Sequence, residues 1–171
     1  MSGEKICTTD GKPPAPGMEH GTPGVGAPQP VGANGQHGAY WVLCESERAN
    51  GFVRPVRRSY KHVGIPGPRH GPLVNLTAEQ AERYTRFGFV KWEAYPESGS
   101  PTTGRYWTQE QLDAVGKGCG TVTTMGLAIA ETYARKPSFY GATMCVGCGT
   151  HLPVGADGEF MWDGTHERVG T

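Results

Sequence analysis

The chain has 171 residues, of which 36% are hydrophobic, and its 16 Lys and Arg balance 16 Asp and Glu. That length admits a single domain with a real core. A net charge of zero removes any global pull toward nucleic acid or anionic membrane, and the lack of an apolar run of about 18 residues excludes a membrane-spanning helix. The N-terminus carries no apolar stretch of signal-peptide length, so the expected setting is a reducing cytoplasm. There, five cysteines point to metal binding or free thiols rather than a disulfide framework.

Residues 1–38 hold nine Gly and six Pro and almost no branched aliphatics. Such a segment cannot bury enough apolar surface to offset its ordering entropy. It reads as a flexible or extended arm, either a disordered tail or a strap that orders against a neighbouring subunit. Cys7, within it, is expected to be a free thiol. The folded part, 39–171, opens with the apolar run Ala39–Cys44, a strand by β propensity. Cys44 reads as a small core residue, with a reserve role as a metal ligand. A polar turn over Glu45–Gly51 precedes a second strand, Phe52–Val56, which Pro55 confines to an edge. Loop follows from Gly64 to Pro72.

Thr77 and Gln80 form a capping box that starts a helix over 78–87, stopped by Gly88. A strand spans Phe89–Tyr95. A second capping box, Thr108 with Gln111, opens a short helix ending at Gly116. Thr124 can cap a helix over 127–135, which Pro137 closes. Ala142–Cys145 reads as a strand entering a turn, and Glu159–Trp162 as its returning partner. The fold class is therefore α+β: short antiparallel strands and two to three short helices.

Chemistry concentrates in the C-terminal third. Cys145-Val-Gly-Cys148 is a two-thiolate chelate whose glycines let the backbone fold tightly around an ion. A structural zinc site needs four soft or borderline ligands. Cys119, set between Gly118 and Gly120, supplies the third. The fourth is a histidine, either His62 or His151. His62 is preferred because a ligand from the first half of the fold ties the two halves together; His151 then sits outside the ligand set. A redox Cys-x-x-Cys is disfavoured, since the first thiol follows a strand rather than opening a helix.

A basic stretch with Arg54, Arg57, Arg58, Tyr60 and Lys61 could contact phosphates and stack a base. A solvated face with local ion pairs explains the same residues, and the zero net charge argues for it. No His-Glu-x-x-His, Gly-x-Ser-x-Gly, P-loop or zinc-deaminase signature is present.

The pieces Ser59–His62, Cys119–Met125, Ala130–Arg135, Phe139–Cys145, Cys148–Val154 and Glu159–Trp162 together resemble a group of small bacteriophage and prophage proteins with a Cys-x-x-Cys-x-x-His motif. In compact members of that group the Tyr-x-His and Cys-Gly pieces lie nearly adjacent. The resemblance therefore implies that 64–117 is an insertion and that His62 meets Cys119. It brings no activity with it. The expected role is a non-enzymatic, zinc-stabilised viral structural or accessory protein, associated with a capsid or tail. Its partners would be other protein subunits, including copies of itself, in the virion or host cytoplasm. The rival readings are a nucleic-acid-binding accessory protein using 54–61 and a metal-dependent hydrolase with an open zinc site.

Overall fold

The computed structural model describes residues 3–171. In chain order the strands and helices are β1 (Ile6–Thr8), β2 (Trp41–Leu43), α1 (Glu45–Arg48), β3 (Ser59–His62), β4 (Leu73–Asn75), α2 (Ala78–Tyr84), β5 (Phe89–Ala94), β6 (Gly104–Thr108), α3 (Gln109–Ala114), β7 (Val122–Thr124), α4 (Leu127–Arg135), β8 (Ala142–Cys145), β9 (Thr150–Pro153) and β10 (Phe160–Trp162). The class is α+β, and every strand pair is antiparallel. The chain divides into two compact units. One combines the described part of Met1–His62 with Cys119–Thr171, and the other is Val63–Gly118. Among the described residues, no helix is long and apolar enough to cross a membrane.

The first unit is organised around the sheet β10-β3-β7 and the hairpin β8-β9. Its core gathers Tyr60, Met125, Ala130, Tyr133, Cys145, Phe160, Trp162 and Val169. Tyr60 occupies the centre of β3, between Trp162 and Thr123 on the flanking strands. Its ring meets Phe160 and Trp162 edge-on, and its hydroxyl donates to the Met144 carbonyl at 2.5 Å. That burial pushes the phenol pKa up to about 12, so Tyr60 is a neutral core donor. Helix α4 buries Ala130, Thr132, Tyr133 and Ala134, and Thr132 accepts from the Leu43 amide at 3.1 Å. The returning partner of β8 is β9, not the 159–162 segment, which instead pairs with β3 as β10. The residues 52–56 form no strand: the amides of Val53 and Arg54 both donate to the Ala134 carbonyl, the free C-terminal end of α4. Glu45–Arg48 is helical rather than a turn.

The described part of 1–38 belongs to the first unit and carries the strand β1. Strand β1 pairs with β2 in the register Cys7↔Val42, and Cys7 and Cys44 form a disulfide across that pair. Cys7 is thus not a free thiol, and Cys44 is not available as a ligand. Cys7 lies in the sparse β1, and only the folded pairing places it 5.0 Å from Cys44, Cα to Cα. Further along, Val31 bridges His37, while Ala27 and Ala39 are buried.

In the second unit, β4-β5-β6 form a three-stranded sheet. Both capping boxes exist, with Thr77 Oγ1 accepting from the Gln80 amide and Thr108 Oγ1 from that of Gln111. Helix α2 ends at Tyr84 and tightens into a 3-10 turn over Thr85–Phe87, and Gly88 takes a left-handed φ of 85°. Glu93 is the polar centre of this unit, only 1% exposed. One carboxylate oxygen accepts from the Arg69 and His70 amides at 2.9 and 2.8 Å, and the other from the Trp107 indole at 2.8 Å. Glu93 therefore fastens the Gly64–Pro72 loop to the sheet. Burial alone would raise its pKa, but the His70 amide, the Trp107 indole and the Arg69 amide outweigh burial and hold the carboxyl below its ordinary 4.5.

Two predictions follow from these restraints. Because the folded pKa of Glu93 is lowered, its stabilisation is present above the unfolded value of 4.5 and is lost as pH falls through the folded value. Glu93→Gln should therefore cost roughly 2–3 kcal/mol at pH 7 and much less at pH 3, read from urea unfolding at both pH values. An unchanged midpoint at pH 7 would contradict the role assigned to Glu93. The Cys7–Cys44 bridge spans 37 residues, so the paired change Cys7→Ser and Cys44→Ser should lower stability by about 2–4 kcal/mol. Equal unfolding midpoints for the two proteins would contradict that.

Candidate metal centre

Two hairpins of the first unit meet at one point. Strand β3 ends at His62. The chain leaves for the whole second unit and returns at Cys119, where the Gly120 amide donates to the His62 carbonyl at 3.0 Å and the His62 amide to the Thr121 carbonyl at 3.2 Å. Those bonds close β3 and β7 into a hairpin whose connection is an entire folded unit. The second hairpin is β8-β9. Cys145 ends β8, the Gly149 amide donates back to the Cys145 carbonyl at 2.8 Å, and Cys148 lies in the turn between them.

His62, Cys119, Cys145 and Cys148 converge there, with all four ligand atoms within 4.8 Å of one another. His62 Nδ1 lies 3.3 Å from Cys119 Sγ, 3.8 Å from Cys145 Sγ and 3.4 Å from Cys148 Sγ, and Cys119 Sγ is 3.4 Å from Cys145 Sγ. A tetrahedral zinc with its usual bond lengths requires edges of about 3.8 Å between sulfurs and about 3.5 Å between sulfur and nitrogen. The donor set therefore fits such an ion in type and spacing.

The protonation pattern fits as well. His62 Nδ1 is turned toward the sulfurs, and its single lone pair, which faces the Cys119 amide at 3.2 Å, is the one a metal would take in place of that contact. The proton is then on Nε2, which donates to Glu159 Oε1 at 3.1 Å. A carboxylate holding the far nitrogen of a ligand imidazole fixes its tautomer and raises its basicity. The sulfurs do not ionise independently. The Thr121 hydroxyl and amide lower the Cys119 thiol to about 6. Loss of water, followed by contact with the Cys145 and Cys119 sulfurs, pushes Cys148 up to about 11. A divalent cation among the three resolves that conflict, because thiolates bind metals deprotonated.

The backbone is shaped for this approach. A Cβ on Gly147 would lie 2.3 Å from Thr121 Oγ1 and 2.9 Å from Cys119 Sγ, so only glycine allows the turn to close over Cys119. Gly35 rests on the same turn, with a left-handed φ of 82° and a Cβ position only 2.0 Å from the Gly149 carbonyl oxygen.

His151 is not in the cluster. It lies on β9, opposite Met144. Its Nε2 is 2.9 Å from the Tyr40 hydroxyl, and its ring stacks at 4.8 Å on His37. Burial, and secondarily His37, lower its pKa. The residues of the basic stretch have contacts within the fold. Tyr60 is buried, Arg57 pairs with Glu167, Arg58 Nε donates to the Met125 carbonyl at 3.1 Å, and Arg54 Nε lies 3.3 Å from the Thr171 carbonyl. Lys61 is the exposed residue of β3, opposite Met161 and Val122 on the flanking strands. No metal-ligand motif marks Glu159; it immediately precedes Phe160, which pairs with His62.

The chain matches no protein-family model, no curated protein and no solved structure. Its functional reading rests on the site itself.

Glu159→Gln keeps an acceptor for His62 but removes the charge, and should weaken metal affinity about tenfold; Glu159→Ala should approach a hundredfold. Competition with a chromogenic chelator measures both. Affinities equal to that of the unaltered protein would show that Glu159 does not support the ligand.

Proposed function

We propose that His62, Cys119, Cys145 and Cys148 hold a structural zinc ion, and that the protein is a non-enzymatic structural or accessory component of a virus-like assembly. The observation that carries the metal assignment is the donor set: three sulfurs and one imidazole nitrogen within 4.8 Å of one another, with a carboxylate behind the imidazole. When bound, zinc at such a site contributes folding energy directly. A hydrolytic zinc keeps one coordination position for water, with three protein ligands; four protein ligands leave none, which is why the structural role is preferred.

The four residues clamp the ends of two hairpins. His62 and Cys119 are the stems on either side of the second unit, so the ion would fix the mouth from which that unit emerges. A fastening of this kind suits a small chain with a lean core. Resemblance to phage and prophage proteins supports the assembly role and the expectation of protein partners. The nucleic-acid reading loses its support with the burial of Tyr60 and the engagement of Arg57 and Arg58.

The test is metal content of the purified protein with single ligand changes. One zinc per chain is expected, lost in Cys119→Ser, Cys145→Ser and His62→Ala and retained in His151→Ala. Retention of zinc by His62→Ala with loss in His151→Ala, or a metal-free protein of full stability, would overturn the assignment.

A further inference from the structure

The second unit carries an aromatic groove that the metal centre does not use. Tyr84 from α2, Trp92 from β5 and Tyr106 from β6 line a cavity of about 500 Å³. Tyr106 is the middle ring. Its centroid is 4.5 Å from that of Tyr84 and 4.6 Å from that of Trp92, with the planes inclined at 36° and 50°. The rings thus make a tilted floor up to about 9 Å long. Gly104 keeps it open, since a Cβ there would come within 2.5 Å of the Trp92 ring. Glu79 and Arg83 stand on the lip. Their mutual contact of 3.4 Å is solvent-exposed and costs little to exchange.

A floor of inclined Tyr and Trp rings is the surface that recognises polyproline II, because proline rings stack between aromatic planes and the preformed helix loses little entropy on docking. That helix repeats every three residues and advances about 9 Å per repeat, so prolines three apart would seat at the two ends of this floor. The chain contains such a segment: Lys12-Pro13-Pro14-Ala15-Pro16. Pro13 and Pro16 have the required spacing and are exposed. Three of the four residues 13–16 lack an amide proton, so the segment cannot join a sheet. Lys12 precedes it, and Glu79 on the lip provides the opposite charge.

We propose that the Tyr84–Trp92–Tyr106 groove of one copy receives Lys12–Pro16 of a second copy. This names a partner for the assembly role above, and rests on that reading for the identity of the occupant; the groove itself owes nothing to the metal assignment.

Two measurements on the full chain separate these dependencies. Sedimentation velocity over a concentration series should show self-association that weakens at least about tenfold, the equivalent of 1.4 kcal/mol, in the double change Pro13→Ala with Pro16→Ala. Both positions are exposed, so folding and zinc content should be unchanged. Calorimetric titration with a synthetic peptide of residues 10–18 should show binding, abolished by Tyr84→Ala. In case Tyr84→Ala disturbs the unit, Thr102→Lys, an exposed change on the groove wall, should repel the same peptide. Self-association that survives the proline changes, with no peptide binding, overturns the groove while leaving the assembly role standing. Peptide binding by a chain that stays monomeric at every concentration overturns the second copy as occupant. Peptide binding that ignores both groove variants overturns the groove as its site.

Discussion

Three sulfurs and an imidazole nitrogen placed within 4.8 Å of one another form an arrangement that cannot be neutral and comfortable by itself. The Thr121 hydroxyl and amide draw the Cys119 thiol down to about 6, while loss of water and then the neighbouring sulfurs push Cys148 up to about 11. The remainder of the first unit serves this convergence. Tyr60 anchors the floor of β3 two residues before His62, its hydroxyl reaching the Met144 carbonyl next to Cys145. Phe160 packs against both Tyr60 and His62, and Glu159 holds the far side of the imidazole. A short run of β10 thus sets the ring from two directions, one apolar and one charged.

The second unit has its own logic. It is held by a buried carboxylate that gathers two amides and an indole, and by turns and caps that are local. Nothing in its construction calls on the cysteines. It is flanked in sequence by His62 and Cys119, and the His62 backbone is hydrogen-bonded to Gly120 and Thr121 as in an ordinary hairpin. Such a junction tolerates long inserts, because loop-closure entropy grows only slowly with length and because the insert folds around its own core.

What could be read in the sequence divides along the range of the forces involved. The capping boxes Thr77/Gln80 and Thr108/Gln111, the stop at Gly88 and the end of α4 before Pro137 depend on neighbours within four residues, and their chemistry is visible in the letters. The Cys-x-x-Cys turn is equally local. The resemblance to compact phage proteins implies an insertion at 64–117, and the second unit runs Val63–Gly118. The choice of His62 over His151 needed an argument about tying distant segments together, because His151 is only three residues past Cys148. In the structure the β9 pairing with Met144 and the Tyr40 hydroxyl draw it elsewhere. Three-residue strands such as β1 and β4 carry no periodicity to detect, and β9 has only four residues, Thr150–Pro153, to mark it directly after the Cys-x-x-Cys turn. The attachment of 3–38 was illegible for a related reason: it depends on a strand pair, a bridge and a glycine contact with residues far along the chain, none of which composition records.

The Cys7–Cys44 bridge changes the meaning of an odd cysteine count. Five free thiols in one nascent chain offer many wrong partners, and the sulfurs of 119, 145 and 148 already lie close enough to one another to invite them. A metal taken up early by those three would act as a protecting group. It would leave two cysteines uncommitted, and so a single way to pair them.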